Sequence, residues 1–136
     1  MNPLKALGGT SDILPEEVDR WQRMEETARQ LCRLYGFQEV RTPLIEESAV
    51  FTGSLGEAAE IVTKQMYEFQ DRGGRTVTLR PEGTASIVRA FIERGLDKTA
   101  SLTRFYYLGP MFRAERPQAG RKRQFHQFGV ELLGSS

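Results

Sequence analysis

The sequence predicts an α+β domain, an antiparallel β-sheet flanked by helices. Three observations carry that prediction. Apolar residues recur at three- and four-residue steps through 15–35 and again through 84–95, the spacing that lines up one face of a helix. Elsewhere apolar and polar residues alternate, as side chains on opposite faces of a strand require. The two patterns follow one another irregularly and include hairpin signals, unlike the regular strand–helix alternation of a parallel sheet.

From the N-terminus, GGTSDIL reads as an unstructured lead-in to a long helix. Pro15 suits the first helical turn, Glu16 and Glu17 suit the positive dipole end, and Gly36 suits the stop. Val18, Trp21, Met24, Ala28, Leu31, Cys32 and Tyr35 form one apolar stripe. Such a stripe is either core or a contact with a partner subunit. FQEVRTPLIEES reads as a strand broken at Pro43, which has no N–H for a ladder. A short helix is expected over 49–54. MYEFQDRGGRTVTLR reads as a hairpin whose turn is Asp71-Arg72-Gly73-Gly74. TASIVRAFIERGL is a second helix, with Ile87, Val88, Phe91 and Ile92 on its apolar side and Gly95 as its cap. RFYYLGPMFRAE and QFHQFGVELL are two strands joined by RPQAGRKR.

A length of 136 residues makes one domain, and 39% apolar with 27% charged residues is ordinary for a soluble globular protein. No apolar run approaches the roughly 18 residues of a membrane span. MNPLKALGGT lacks the apolar centre of a signal peptide, so a cytoplasmic protein with no membrane partner is expected. The single cysteine, Cys32, excludes an internal disulfide, fits a reducing compartment and reads as core. With one Cys and one His, a zinc site would need mostly carboxylates, and no metal ligand is expected. With 19 Lys+Arg against 18 Asp+Glu, the surface as a whole does not attract nucleic acid, so anion chemistry must be local. It is concentrated in one stretch: Arg113, Arg116, Arg121, Lys122 and Arg123 cluster there, offset by Glu115 alone.

That stretch joins the last two strands. Strand parity puts Met111, Arg113 and Glu115 on one face of the first, and Phe125, Gln127, Gly129, Glu131 and Leu133 on one face of the second. His126, Phe128, Val130 and Leu132 share the opposite face, apolar enough to pack on a helix, which makes His126 a buried core histidine. If the two mixed faces coincide they form a polar floor, and Gly129 leaves space for something flat or bulky against the backbone. An arginine, an aromatic ring and a cationic loop at such a floor suit a nucleoside polyphosphate: a guanidinium forks onto phosphate and a ring stacks on a base. The competing reading is a solvated hairpin tip whose arginines keep an edge soluble. Neither GxxxxGK[ST] nor GxGxxG occurs. In TLRPEGTAS, Thr84 reads as a helix N-cap, or Glu82 and Thr84 present a carboxylate and a hydroxyl to the ammonium group of a small ligand.

GFQEVRTP, TLRPEGTA and YYLGPMFRAERPQAGRKRQFHQFGVELLG together closely resemble the start of the histidyl-tRNA synthetases, a class II aminoacyl-tRNA synthetase family, over about Gly9 to Ser135. The resemblance implies an antiparallel sheet flanked by helices, ATP with Mg2+ as substrate, no tightly bound cofactor, and L-histidine and tRNA(His) as the other partners. It implies that Arg113 is catalytic and contacts the α-phosphate, that Glu115 accepts from the adenine amino group, that Phe125 stacks under the adenine and that Arg121 reaches the distal phosphates. Glu82, Gly83, Thr84 and Gln127 would hold the histidine ammonium group, and Glu131 its imidazole. The helix from Pro15 to Tyr35 and the strand to Pro43 resemble the family's first signature, which implies a homodimer interface. Residues 1–136 cover only the first and second signatures. The third signature, the downstream histidine-specific segments and the anticodon-binding domain are missing, so the resemblance implies a portion of a catalytic domain that is inactive alone. Two other readings compete: a non-catalytic regulatory subunit of ATP phosphoribosyltransferase in histidine biosynthesis, and an interaction or RNA module that uses the cationic loop on phosphates.

Overall fold

The computed structural model describes residues 2–53, 57–99, 101–116 and 118–134, without the side chains of 57–59 and 61. Helix α1 runs Pro15–Leu34, with Pro15 in its first turn, Glu16 and Glu17 at its positive end, and Gly36 turning out of it at φ +74°. The chain then makes two short strands, β1 (Gln38–Glu39) and β2 (Ile45–Glu47). They belong to different sheets, so the break at Pro43 is a crossing from one sheet to the other. Helix α2 (Ala49–Thr52) matches the short helix expected there, whose predicted end at Ser54 lies outside the described residues. The sequence reading missed α3 (Glu57–Lys64).

The hairpin forms as expected from β3 (Tyr67–Gln70) and β4 (Thr76–Leu79). Asp71 organises its turn, since Oδ1 accepts from both Gly73 N and Arg75 N at 2.9 Å. Helix α4 (Thr84–Glu93) and the short α5 (Leu96–Thr99) lead into the two long tail strands, β5 (Thr103–Phe112) and β6 (Gln124–Leu133). One sheet has the order β1-β5-β6 and the other β2-β4-β3. Among the described residues all strand pairings are antiparallel except one: β1 runs parallel to β5, with Gln38 opposite Phe105. The expected α+β fold of sheets flanked by helices is what the structure has, with this one short parallel pair added to it. The connection from β1 to β5 runs over residues 40–102, ample for the crossover that parallel strands require.

The core lies between α4 and the odd-numbered face of β5 and β6. Ile87, Tyr107 and Met111 are its buried centre, with Val40, Phe105, Phe125 and Leu133 packed around them. Sequence parity had assigned the opposite face to helix packing, and this is half corrected. Helix α1 does lie on that face, burying Cys32 and Tyr106 and setting the Trp21 ring 4.6 Å from the His126 ring. Burial pushes the thiol of Cys32 and the phenol of Tyr106 up from their ordinary values. His126, however, is exposed rather than a core histidine, and Phe128, Val130 and Leu132 are exposed beyond it. The reason is position: β6 is the edge strand of the β1-β5-β6 sheet, and α1 meets it at the Trp21–His126 pair while burying Tyr106 on the inner strand β5. Of the α1 stripe only Cys32 is buried, while Met24, Leu31 and Tyr35 lie open, so the core reading does not hold for those three.

Candidate active site

The register of β5 and β6 decides whether the predicted polar floor exists. Met111 stands opposite Phe125, Gly109 opposite Gln127, Tyr107 opposite Gly129 and Phe105 opposite Glu131. The two mixed faces therefore coincide. The ladder continues one step past β5, where Arg113 N donates to Arg123 O at 2.9 Å. The Arg113 guanidinium lies 5.1 Å above the Phe125 ring, on the face that also carries Gln127. Its Nε donates to Pro81 O at 3.1 Å, and neither terminal nitrogen has a hydrogen-bond partner among the described residues. The group is thus aimed by one bond and a ring contact, with its fork unused.

Arg113, Glu115, Arg121 and Phe125 line one cleft of about 480 Å³, together with Gln65, Gly120 and Lys122. All four residues assigned to the nucleotide thus meet in one place. The cationic loop closes on itself as a tight turn: Gln118 and Arg121 form an antiparallel bridge around Gly120, whose φ of +79° suits a residue without Cβ. Pro117 lies outside the described residues. Arg121 and Lys122 are exposed at the cleft, whereas Arg123 is withdrawn from the cationic set. Its Nε donates to Glu115 O and its Nη1 to Gly8 O, each at 3.0 Å. Gly9 O accepts from Arg123 N at 2.7 Å, so the lead-in read as unstructured is docked on the base of the loop. Nothing in the local pattern of GGTSDIL announces a partner more than a hundred positions away.

The second predicted group gathers farther along the same face. Glu82 caps α4: its Oε2 accepts from Thr84 N at 2.5 Å and its Oε1 from Ala85 N at 3.0 Å. Thr84 is therefore the first residue of the helix rather than its N-cap, a place taken by Gly83. This frees the Thr84 hydroxyl to donate to Glu131 Oε1 at 2.6 Å across to β6. Gln127 Oε1 is buried and has no hydrogen-bond partner among the described residues. An orphaned acceptor of this kind costs about 1–3 kcal/mol, which is recovered when a donor arrives. Glu82 and Thr84 also contribute to an apolar cleft of about 540 Å³ with Val50, Phe51, Val62, Val88 and Ile92.

The space above Gly129 is already taken. A Cβ there would fall 2.3 Å from the Tyr107 ring, and a Cβ on Gly83 would meet the same ring at 2.3 Å. The two glycines clasp Tyr107, so the reading that Gly129 leaves room for a ligand is corrected: the occupant is the cross-strand tyrosine. Burial pushes the Tyr107 phenol up; its hydrogen bond with Thr84 opposes that shift, and the Glu131 and Glu82 charges add to it. The sequence reading did not single out Tyr107, although its parity with Met111 and Arg113 places it on the site face. Gln65 was missed too. It lies just past α3, and its carbonyl accepts from Ala114 N at 2.7 Å.

The family model described as histidyl-tRNA synthetase matches residues 9–136. A histidine--tRNA ligase of Desulforamulus reducens is 57% identical over 128 residues, 94% of this chain and 30% of its own length. The corresponding ligase of a Cyanothece species is 57% identical over all 136 residues, 32% of its length. Among solved structures, apo histidyl-tRNA synthetase from S. aureus has a TM-score of 0.72 at 39% identity, covering 96% of this chain and 28% of that one. A Bacillus halodurans protein described as an ATP phosphoribosyltransferase regulatory subunit/histidyl-tRNA synthetase has a TM-score of 0.80 at 26% identity, covering 100% and 34%. The chain spans about a third of the length of these relatives. With the family model matching nearly every residue and more than half of the positions identical to named ligases, the chain belongs to the histidyl-tRNA synthetase family.

Proposed function

We propose that this chain carries the ATP and histidine sites of a histidine–tRNA ligase. The carrying observation is the single cleft that unites Arg113, Glu115, Arg121 and Phe125, with Gln127 and Glu131 on one face of β6 and Thr84 at the start of α4 bonded to Glu131. In this reading the histidine carboxylate attacks the α-phosphorus of ATP. An acyl–phosphate bond forms, the bond to the β-phosphate oxygen breaks, and pyrophosphate leaves. The histidyl group then passes to the 3′ end of tRNA(His), and AMP is released. Arg113 has both terminal nitrogens available for the α-phosphate, where they offset charge that grows during attack. Arg121 and Lys122 take the distal phosphates, Glu115 the adenine amino group, and Phe125 the adenine face, worth about 1–3 kcal/mol as a stack. Gln127 Oε1 accepts from the histidine ammonium, and Glu131, held by Thr84, faces the imidazole. Magnesium enters as part of the MgATP substrate, because Glu115 is the one acidic side chain lining that cleft among the described residues. The open Met24, Leu31 and Tyr35 surface of α1 meets a second copy of the chain.

The test is histidine-dependent ATP–pyrophosphate exchange by the full reading frame that contains this chain. Arg113→Ala is expected to lower kcat/KM about 100-fold or more, the scale of losing a charge-stabilising donor. The 136 residues alone are expected to exchange poorly. The family likeness to the Bacillus halodurans protein favours one alternative, a regulatory subunit of ATP phosphoribosyltransferase. That reading predicts histidine binding with no exchange, and such a result would replace the ligase reading.

A further inference from the structure

Arg80 lies between β4 and the Pro81–Thr84 turn and is only 6% exposed. Among the described residues it forms no ion pair. The nearest acidic influence is Glu46, whose carboxylate is engaged with Arg89 at 2.9 Å. A buried cation without a carboxylate is costly, so its presence calls for a reason beyond packing. The reason lies in what the guanidinium holds. Its Nε donates to Pro110 O at 2.9 Å, and its Nη1 to both Thr42 O and Thr42 Oγ1 at 3.2 Å. Its backbone adds two more bonds: Arg80 N to Leu44 O, and Phe112 N to Arg80 O, each at 2.9 Å. The next carbonyl, Pro81 O, accepts the Arg113 side chain. Strand β5 even leaves a gap for the group, since a Cβ on Gly109 would stand 2.7 Å from Arg80 Nη2.

Residues 80–81 thus tie the 42–44 crossing to 110–113 of the ribbon, immediately before the turn that bears Glu82, Gly83 and Thr84. We propose that Arg80 is a positioning residue: it touches neither substrate but sets Arg113 relative to the Glu82–Thr84 turn, and so aligns carboxylate with phosphorus. The assignment rests on the histidine-activation reading. It separates Arg80 from a plain brace through kinetics. Each substrate keeps its own contacts when Arg80 changes, while their mutual alignment is lost, and a displacement near 1 Å costs about 100-fold in rate.

In the full reading frame, Arg80→Lys keeps the charge but cannot span Pro110 and Thr42 together. Its kcat for pyrophosphate exchange is expected to fall about 10- to 100-fold, with KM for ATP and for histidine each within about threefold. Gly109→Ala, which pushes on the guanidinium from β5, is expected to lower kcat in the same direction. The double variant should lose no more than the worse single one, because both act through one group. Unchanged kcat in the folded fraction of Arg80→Lys overturns the proposal, as does a loss carried entirely by KM. If Arg80→Lys does not fold, Gly109→Ala and Thr42→Val decide by the same split. A wild-type frame that activates no histidine removes the ligase reading instead. Amide exchange then judges Arg80 separately. Faster exchange at Phe112 and Ala114 in Arg80→Lys supports it, and unchanged exchange at both overturns it.

Discussion

Gln127 holds a buried carbonyl oxygen that bonds to nothing among the described residues. Such an atom lowers the stability of the free protein and raises its readiness to take an ammonium group. Gln127→Met keeps the volume and removes the orphan. Its thermal midpoint is expected to stay level or rise, by up to about 1 kcal/mol in stability, while histidine affinity falls by about 1–3 kcal/mol. Calorimetry on the full reading frame measures both quantities. A variant that binds histidine normally would place the ammonium group elsewhere. Tyr107 shows the same scale from the packing side. Its ring is clasped by Gly83 and Gly129, so two glycines that look like open space in the sequence are filled by one aromatic side chain.

The β3–β4 hairpin depends on one carboxylate. Asp71 accepts two turn N–H groups and the Arg75 guanidinium, whose Nε lies 2.8 Å away. The Arg75 N–H bond, first among these, holds the Asp71 carboxyl below its usual value of 3.8. A carboxyl depressed in the folded state contributes stability that is complete above its unfolded value and disappears as pH falls through the folded one. Amide protection in 67–79 is therefore expected to persist down to about pH 4 and to fall below it. Asp71→Ala should remove that acid limb. Exchange measured between pH 6 and pH 2.5 checks it, and a limb that survives the substitution would assign it to another acid. The adjoining element, the β5–β6 ribbon, needs no such support, because its ten-residue arms pair along their full length.

At the level of the whole molecule, the apolar side chains left open among the described residues include Met24, Leu31 and Tyr35 on α1, and Phe128, Val130 and Leu132 on β6. Open apolar side chains on α1 fit the proposed contact between copies. If α1 meets a second copy, Leu31→Glu in the full reading frame is expected to shift sedimentation from dimer to monomer. It should also remove any concentration dependence of the thermal midpoint. An unchanged dimer would move the contact off α1. No helix among the described residues is long and apolar enough to cross a membrane.

The sequence by itself determined the helices at Pro15 and Thr84, the Asp71 hairpin, the two tail strands and which of their residues share a face. Period, proline, glycine and cap chemistry act within a few residues, and those features are local. It also determined the family, through the stretch from Tyr106 to Gly134. Only the tertiary structure decided the register that sets Gly109 against Gln127, the parallel pairing of β1 with β5, and the exposure of His126. Only it could show that Arg123 and Arg80 hold backbone carbonyls from distant segments instead of waiting for phosphate. An arginine's partners are chosen by where the chain returns, and charge patterning along the sequence is blind to that.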